Sequence, residues 1–244
     1  MIILLSKRHL WTMVLCCCSV IGLTAVLWAG SILPQTVSVF SPARQGSITW
    51  IVDAGHGGED GGAVSPNGVS ESRINLEIAL RLHDLLRFTG QQTMMTRTDD
   101  NAIHTQGDTI RARKASDIRN RVALVNNTDH AVLLSIHQNS LPSSPATHGA
   151  QVFWNRQEGG ESIAQMLQDS LNRTINVGNE KHAKRISDSI YLMKHVTAPA
   201  ALIECGFLSN SSESTLLQQP SHQIKLAAAI TTGCLRALAG EELP

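Results

Sequence analysis

The sequence predicts an α/β fold: a single domain with a mostly parallel, twisted sheet flanked by helices, preceded by an N-terminal transmembrane helix. Three observations carry this. From residue 47 onward, short apolar runs alternate with longer amphipathic stretches, the pattern of buried strands joined by helices. Glycine or ionisable residues follow where the apolar runs stop. Near the N-terminus, residues 10–33 form one unbroken apolar run.

That run has 24 residues and no ionisable side chain except the thiols of Cys16, Cys17 and Cys18. At ~1.5 Å per residue, ~20 apolar residues cross a ~30 Å hydrocarbon layer, so the segment reads as a signal anchor. Lys7 and Arg8 hold residues 1–9 in the cytoplasm and send the rest of the chain to the outer face. Ala29 and Ser31 also make a small-x-small site, which leaves a cleaved signal peptide as the second reading. Residues 34–46, with Pro34, Pro42 and Gly46, read as a linker. The globular domain then spans 47–240, membrane-anchored or secreted, on the exocytoplasmic side.

Within it, residues 49–52 (Thr-Trp-Ile-Val) read as a strand. Residues 73–88 carry Ile74, Ile78, Leu82, Leu85 and Leu86 at helical spacing. Residues 92–96 are a second strand, 118–126 a helix and 131–136 a buried strand. Residues 149–154 are a strand, 162–176 a helix and 200–203 a strand. Pro220 opens a closing helix, with Ile224, Ala227, Ala228, Thr231, Leu235 and Leu238 along one face.

Composition excludes several classes. Of 244 residues, 42% are hydrophobic and 16% charged, which does not describe a disordered tail. With Lys7, Arg8 and Arg44 set aside, 17 basic residues remain against 20 acidic ones. A mildly acidic domain is not built to coat nucleic acid. Beyond the apolar run only Cys205 and Cys234 remain, too few for a disulfide scaffold. One bridge or two buried thiols are both compatible with the sequence.

Four places interrupt the architectural pattern with ionisable groups. The first strand runs into Asp53-Ala54-Gly55-His56-Gly57-Gly58, where the flanking glycines let the backbone turn and leave the imidazole uncrowded. Glu71 stands just ahead of the first long helix. Ser135-Ile136-His137 ends the third strand, and Ile203-Glu204-Cys205-Gly206-Phe207 ends a later one. In open α/β sheets the carboxyl edge of the strands is where ligands bind. Two histidines and a carboxylate from separate segments match a catalytic zinc site, in which three protein ligands leave a position for water. A second carboxylate suits the general base for that water. Taken singly, each of these residues also has an ordinary structural reading: Glu71, for one, is a first-turn carboxylate that the helix dipole favours. Glu204 is harder to read that way, because a buried unpaired carboxylate is costly.

In their order along the chain these residues resemble a family. Ile51-Val52-Asp53-Ala54-Gly55-His56-Gly57-Gly58-x-x-Gly61-Gly62, Glu71 with Asn75-Leu76, Met95-Thr96-Arg97-x-x-Asp100, Ser135-Ile136-His137-x-Asn139 and Glu204-x-Gly206-Phe207-Leu208-Ser209-Asn210 are similar to the zinc-dependent N-acetylmuramoyl-L-alanine amidases of amidase type 3. The resemblance covers residues 48–238. It implies a catalytic domain that binds one Zn2+ per chain through His56, Glu71 and His137, with Glu204 as the catalytic glutamate and Asn139 positioning substrate. The reaction implied is hydrolysis of the amide between N-acetylmuramic acid and L-alanine in peptidoglycan.

Arg111-x-Arg113-Lys114-x-x-Asp117-Ile118-Arg119-x-Arg121 and Tyr191-Leu192-Met193-Lys194 resemble the spore-cortex, or germination-specific, subgroup. That implies a role in cortex maturation, where stem-peptide removal precedes formation of muramic δ-lactam, and leaves open an accessory activating protein. The stretch between His137 and Glu204 leaves no room for the blocking helical insertion of division amidases. Three other readings compete: a zinc peptidase cutting within the stem peptide, a vegetative autolysin, and a non-catalytic binding module. The peptidase is disfavoured by the absence of His-Glu-x-x-His on a helix, and the binding module by retention of Glu204. The remaining eight histidines get an ordinary reading, His148 lying nearest the cleft in sequence. Lys181, Lys184 and Arg185 read as a solvated face, or as a contact for stem-peptide carboxylates.

Overall fold

The computed structural model describes residues 48–240. The expected signal segment at 10–33, its flank and the whole of the linker at 34–46 lie outside the described residues. Among the described residues no helix is long and apolar enough to cross a membrane.

In chain order the elements are β1 (Thr49–Ala54), α1 (Glu71–Phe88), β2 (Gln92–Met95), α2 (Ile110–Asn126), β3 (Ala131–Asn139), β4 (Gln151–Trp154), α3 (Gly160–Thr174), β5 (Lys184–Arg185), α4 (Tyr191–His195), β6 (Ala200–Phe207), α5 (Ser211–Leu217) and α6 (Pro220–Ala239). They build one six-stranded sheet in the order β2-β1-β3-β6-β4-β5. β2, β1, β3 and β6 are mutually parallel, while β4 runs antiparallel to β6 and carries β5 parallel to itself. The mostly parallel sheet expected from the apolar runs is present, with a reversed pair at one edge.

Alternation along each strand divides the core in two. Trp50, Val52, Leu134, Ile136 and Ile203 face α1, α3 and α6, burying Ile78, Leu82, Leu167 and Ile230. Ile51, Leu133 and Leu202 face the other way, toward Val125 of α2 and Leu192 and Met193 of α4. Each fully buried aliphatic side chain contributes roughly 1.5–3 kcal/mol through removal from water. Helices therefore cover both faces, and the carboxyl edge of the parallel strands is left for the site.

The boundaries differ from the sequence reading in instructive ways. α1 begins at Glu71, so Glu71 is its first residue rather than its prelude. α2 starts at Ile110, eight residues before its apolar signal, capped by Thr109 Oγ1 accepting the Ala112 N–H at 3.2 Å. Its first two turns carry Arg111, Arg113, Lys114 and Asp117, which show no apolar period. β3 and β6 continue past their apolar stretches because ladder hydrogen bonds are made by backbone, whatever the side chain. On α6 the buried stripe is Gln223, Leu226, Ala227, Ile230 and Cys234, whereas Ile224 and Leu238 of the expected face are exposed. Two features rotate the helix. Gln223 Nε2 donates to Leu217 O and Glu77 Oε2 at 2.9 and 2.8 Å, and Gly233 lets α6 close on the backbone of Leu167. Cys205 and Cys234 are buried free thiols.

Candidate metal centre

β1 delivers its chain to the carboxyl edge and into the loop 55–62. Gly55 is required there: a Cβ on it would lie 2.3 Å from His137 Nε2. The room that this glycine makes is thus for His137, not for its neighbour His56. His56 takes a left-handed backbone, φ 62°, which is strained for a residue with a Cβ. Surrounding donors hold it. Arg121 reaches from α2 to Ala54 O at 2.8 Å and His56 O at 2.7 Å. Arg97 donates to Ala54 O at 2.9 Å and Gly55 O at 3.1 Å, and Asn75 Nδ2 to Gly55 O at 3.1 Å.

Arg121 is itself fixed by Asp53 on β1, at 2.5 Å, and by Asp117 at 2.7 Å. Thr96 and Ser135 donate their hydroxyls to the same Asp53 carboxylate, at 2.8 and 2.6 Å. Burial alone would raise the Asp53 pKa, but Arg121 and the two hydroxyls hold it below the usual carboxylate range.

His56, Glu71 and His137 converge beyond this support. Glu71 Oε1 lies 3.2 Å from His56 Nε2 and 2.9 Å from His137 Nδ1. The two rings meet edge to face, centroids 4.9 Å apart. Three prospective ligand atoms, two imidazole nitrogens and a carboxylate oxygen, lie within 4.8 Å of one another. Glu71 is aimed by its surroundings. Its Oε1 also accepts the Gln138 N–H at 3.2 Å and Asn75 Nδ2 at 3.3 Å, and its Oε2 the Ala63 N–H at 2.9 Å. Asn75 is held in turn by Gln138 Nε2 at 3.1 Å.

The electrostatics suit a cation. Burial disfavours a charged His56, but Asp60 and Glu71 outweigh it and raise its pKa to about 9. Burial would raise Glu71, and the two histidines more than reverse that, keeping it ionised. Positive charge at this point is therefore stabilised by the protein. A metal ion bound by the same three atoms satisfies that field, and the nitrogen and oxygen donors are those zinc takes.

Glu204 stands in register with His137 across β3 and β6, and with Gln151 across β4. Its Oε2 is buried and makes no hydrogen bond. Burial, with some help from Glu71, raises its pKa to about 7 against the opposing pull of His137 and His56. An orphaned acceptor beside three converging ligand atoms fits a site that takes a metal and a water. Asn139 follows a register shift at the end of β3. Its Oδ1 accepts the Ser140 N–H at 2.8 Å and its backbone carbonyl the Leu208 N–H at 2.8 Å, tying β3 to the turn after β6.

His56, Glu71, His137 and Glu204, the residues that the sequence singles out, are found together. No role follows from the sequence for Asp60, Asn75, Gln138, Arg97 or Arg121. Asn75, Arg97 and Arg121 stood within quoted motifs, and Asp60 lay at an unspecified position four residues after His56. His148 is away from the four, lining a cavity of about 320 Å³ with Asn176, Glu213 and His222. Lys184 and Arg185 are exposed on edge strand β5, as a solvated face should be, whereas Lys181 is half-buried with its Nζ 5.9 Å from the Phe207 ring centroid.

Comparison with known proteins is consistent with this geometry. The family model described as N-acetylmuramoyl-L-alanine amidase matches residues 51–236. The chain is 42% identical over 192 residues to the germination-specific N-acetylmuramoyl-L-alanine amidase of Bacillus subtilis, covering 78% of this chain and 79% of that protein. Among solved structures, the CwlD amidase from Clostridioides difficile in complex with the GerS lipoprotein has a TM-score of 0.76 at 34% identity, covering 80% of this chain and 100% of that one. The N-acetylmuramoyl-L-alanine amidase from Clostridium difficile 630 has a TM-score of 0.70 at 28% identity, covering 81% of this chain and 100% of that one.

Proposed function

As the chain belongs to the N-acetylmuramoyl-L-alanine amidase family, we propose that this peptidoglycan amidase uses zinc held by His56, Glu71 and His137, with Glu204 as its general base, and that it acts in spore-cortex maturation. The observation that carries the mechanism is the placement of Glu204, half-buried and with one buried oxygen unpartnered, in register beside a proposed ligand histidine.

Zinc in such a site supplies a Lewis acid and makes water a usable nucleophile at neutral pH. The protein's part is orientation and proton transfer. Glu204 takes a proton from the attacking water as a carbon–oxygen bond forms at the lactyl carbonyl. It returns that proton to the L-alanine nitrogen as the carbon–nitrogen bond breaks. The products are a lactyl carboxylate on an intact glycan and a stem peptide with a free L-alanine amino group. Asn139, at the end of β3, is proposed to position the substrate.

The cortex role is supported by the 42% identity to a germination-specific amidase. In that role, stem-peptide removal prepares muramic acid for δ-lactam formation. Residues 10–33 anchor or export the domain to the wall side, from the charge and length of the segment. An accessory activating protein is also proposed, because the CwlD amidase was solved in complex with a lipoprotein.

Mass spectrometry of muropeptides tests this reading. Zinc-loaded protein, with lysate of the source cell present, should release whole stem peptides beginning with L-alanine, and a chelator should stop it. Shortened stem peptides still attached to muramic acid would point to the peptidase. Glycan fragments would point to a glycosidase, which uses paired carboxylates.

A further inference from the structure

His56 is carried by a loop, and a ligand on a loop keeps its aim only if neighbours fix it. Both nitrogens of its ring are engaged. Nε2 faces Glu71 on the metal side, while Nδ1 lies 3.0 Å from Asp60 Oδ2 on the opposite side. The second carboxylate oxygen, Asp60 Oδ1, is 2.6 Å from Lys114 Nζ of α2 and accepts the Gly62 N–H at 3.4 Å. Next to this contact, Arg113 clamps Glu59 with two hydrogen bonds, of 2.7 and 2.9 Å. Asp60, Lys114, Arg113 and Asp117 wall a small cavity behind the loop. A chain of contacts therefore runs from α2 through Asp60 to a metal ligand.

We propose that Asp60, held in place by Lys114, is a positioning residue that fixes His56 as the Nδ1–H tautomer and so commits the Nε2 lone pair to the metal. The inference rests on the zinc reading above and deepens it. Imidazole ligands commonly donate their second N–H to a carboxylate, which sets tautomer and ring orientation. Here the carboxylate is in the same loop as the ligand, and its anchor comes from a different element.

The hydrogen-bonding inventory makes this testable. A carboxylate accepts on both sides, so it serves the imidazole and the ammonium together. An amide does not, since it has one accepting and one donating end. In Asp60→Asn, an oxygen turned to His56 leaves the amide NH2 against the Lys114 ammonium, donor facing donor. An oxygen turned to Lys114 presents NH2 to Nδ1. That selects the other tautomer, whose proton sits on the very nitrogen the metal needs. Replacing Lys114 as well removes the conflict and lets the amide oxygen return to His56. A merely structural loop contact predicts no such rescue, because the double variant has lost more contacts than the single one.

The full chain, purified metal-free in detergent, is titrated with zinc against a chelator of known affinity, as wild type, Asp60→Asn, Lys114→Met and the double variant. Asp60→Asn should weaken zinc binding about 10–100-fold. Lys114→Met should weaken it less, and the double variant should recover most of the loss. Thermal melts of the four metal-free proteins separate loss of fold from loss of aim: all four should unfold cooperatively and above the temperature of the titration, with Asp60→Asn below the wild type because its pairing with His56 and Lys114 is lost. In the zinc-loaded wild type, 15N NMR of the His56 ring should show the proton on Nδ1, a reading that needs no variant. Wild-type affinity in Asp60→Asn, a double variant no better than the single, or a proton on Nε2 would each overturn the inference. Failure of the wild type to bind zinc would overturn the metal reading and this inference with it.

Discussion

Glu204 and His137 are register partners on adjacent parallel strands, β6 and β3. Two residues 67 positions apart are thereby set side by side by backbone hydrogen bonding alone. Strand register is among the stiffest relationships a fold offers, since a one-residue slip turns every side chain to the other face. The proposed base and one proposed ligand are therefore held by sheet geometry, while the other two proposed ligands, His56 and Glu71, are aimed by hydrogen bonds from neighbouring groups.

Glu204→Gln should keep its metal and lose turnover by about 10²–10⁴-fold, because the amide accepts no proton from water. The same variant should stabilise the metal-free protein. The folded-state pKa of Glu204 is raised to about 7, so its stability contribution is complete below the ordinary carboxylate range and is lost as pH rises through about 7. Urea unfolding at pH 8 should show Glu204→Gln more stable by about 2–3 kcal/mol, a gain that disappears near pH 4. A less stable variant at pH 8 would contradict the buried, unpartnered oxygen.

Gly62→Ala should damage the site without replacing a proposed ligand. Gly62 has φ 67°, and a Cβ there would lie 2.5 Å from Glu71 Oε2 and 2.8 Å from His56 Cδ2. Zinc content measured by atomic absorption should fall, with the helical circular dichroism retained. Full occupancy would show that the loop has slack the geometry does not suggest.

Arg121→Met removes the partner of a buried carboxylate and should cost about 3–5 kcal/mol at neutral pH. In the wild type, Asp53 is held below its ordinary value, so its contribution is present above about pH 4 and lost as pH falls. In the variant, burial is opposed by the Thr96 and Ser135 hydroxyls without the guanidinium, so that pKa rises and the contribution shrinks. The variant's penalty should grow as pH rises above about 4. Paired unfolding curves at pH 7 and pH 4 should show the gap narrowing in acid. A gap independent of pH would mean that Arg121 acts through packing.

Topology is tested by fusion. A reporter active only outside the cytoplasm should work when joined after Gly46. Activity of a cytoplasm-only reporter at that point would reverse the orientation drawn from Lys7 and Arg8. A soluble product with a new N-terminus near Ser31 would show a cleaved signal in place of an anchor.

The four site residues were legible because each interrupts an apolar pattern at a strand end or a helix start. The strands of the parallel sheet were legible from their hydrophobic runs. Other features left no periodic trace. The contact of Asp60 with Lys114 joins residues 54 positions apart, and nothing in either segment announces the other. The first turns of α2 are charged because they serve the loop 55–62 rather than the core. Strand β5, at two residues, is too short for any period. The reversal of β4 is invisible in composition, since a buried strand reads the same in either direction. Gly55 was legible as a turn residue, but only the fold shows that the space it leaves belongs to His137.

The central claim is that His56, Glu71 and His137 hold one zinc while Glu204 stands beside it unliganded. Anomalous diffraction at the zinc edge, on crystals of the zinc-loaded protein, tests it most directly. A single strong peak is expected about 2.0–2.2 Å from His56 Nε2, His137 Nδ1 and a Glu71 oxygen, with Glu204 outside the coordination sphere. A peak elsewhere, or one with Glu204 as a ligand, would contradict it.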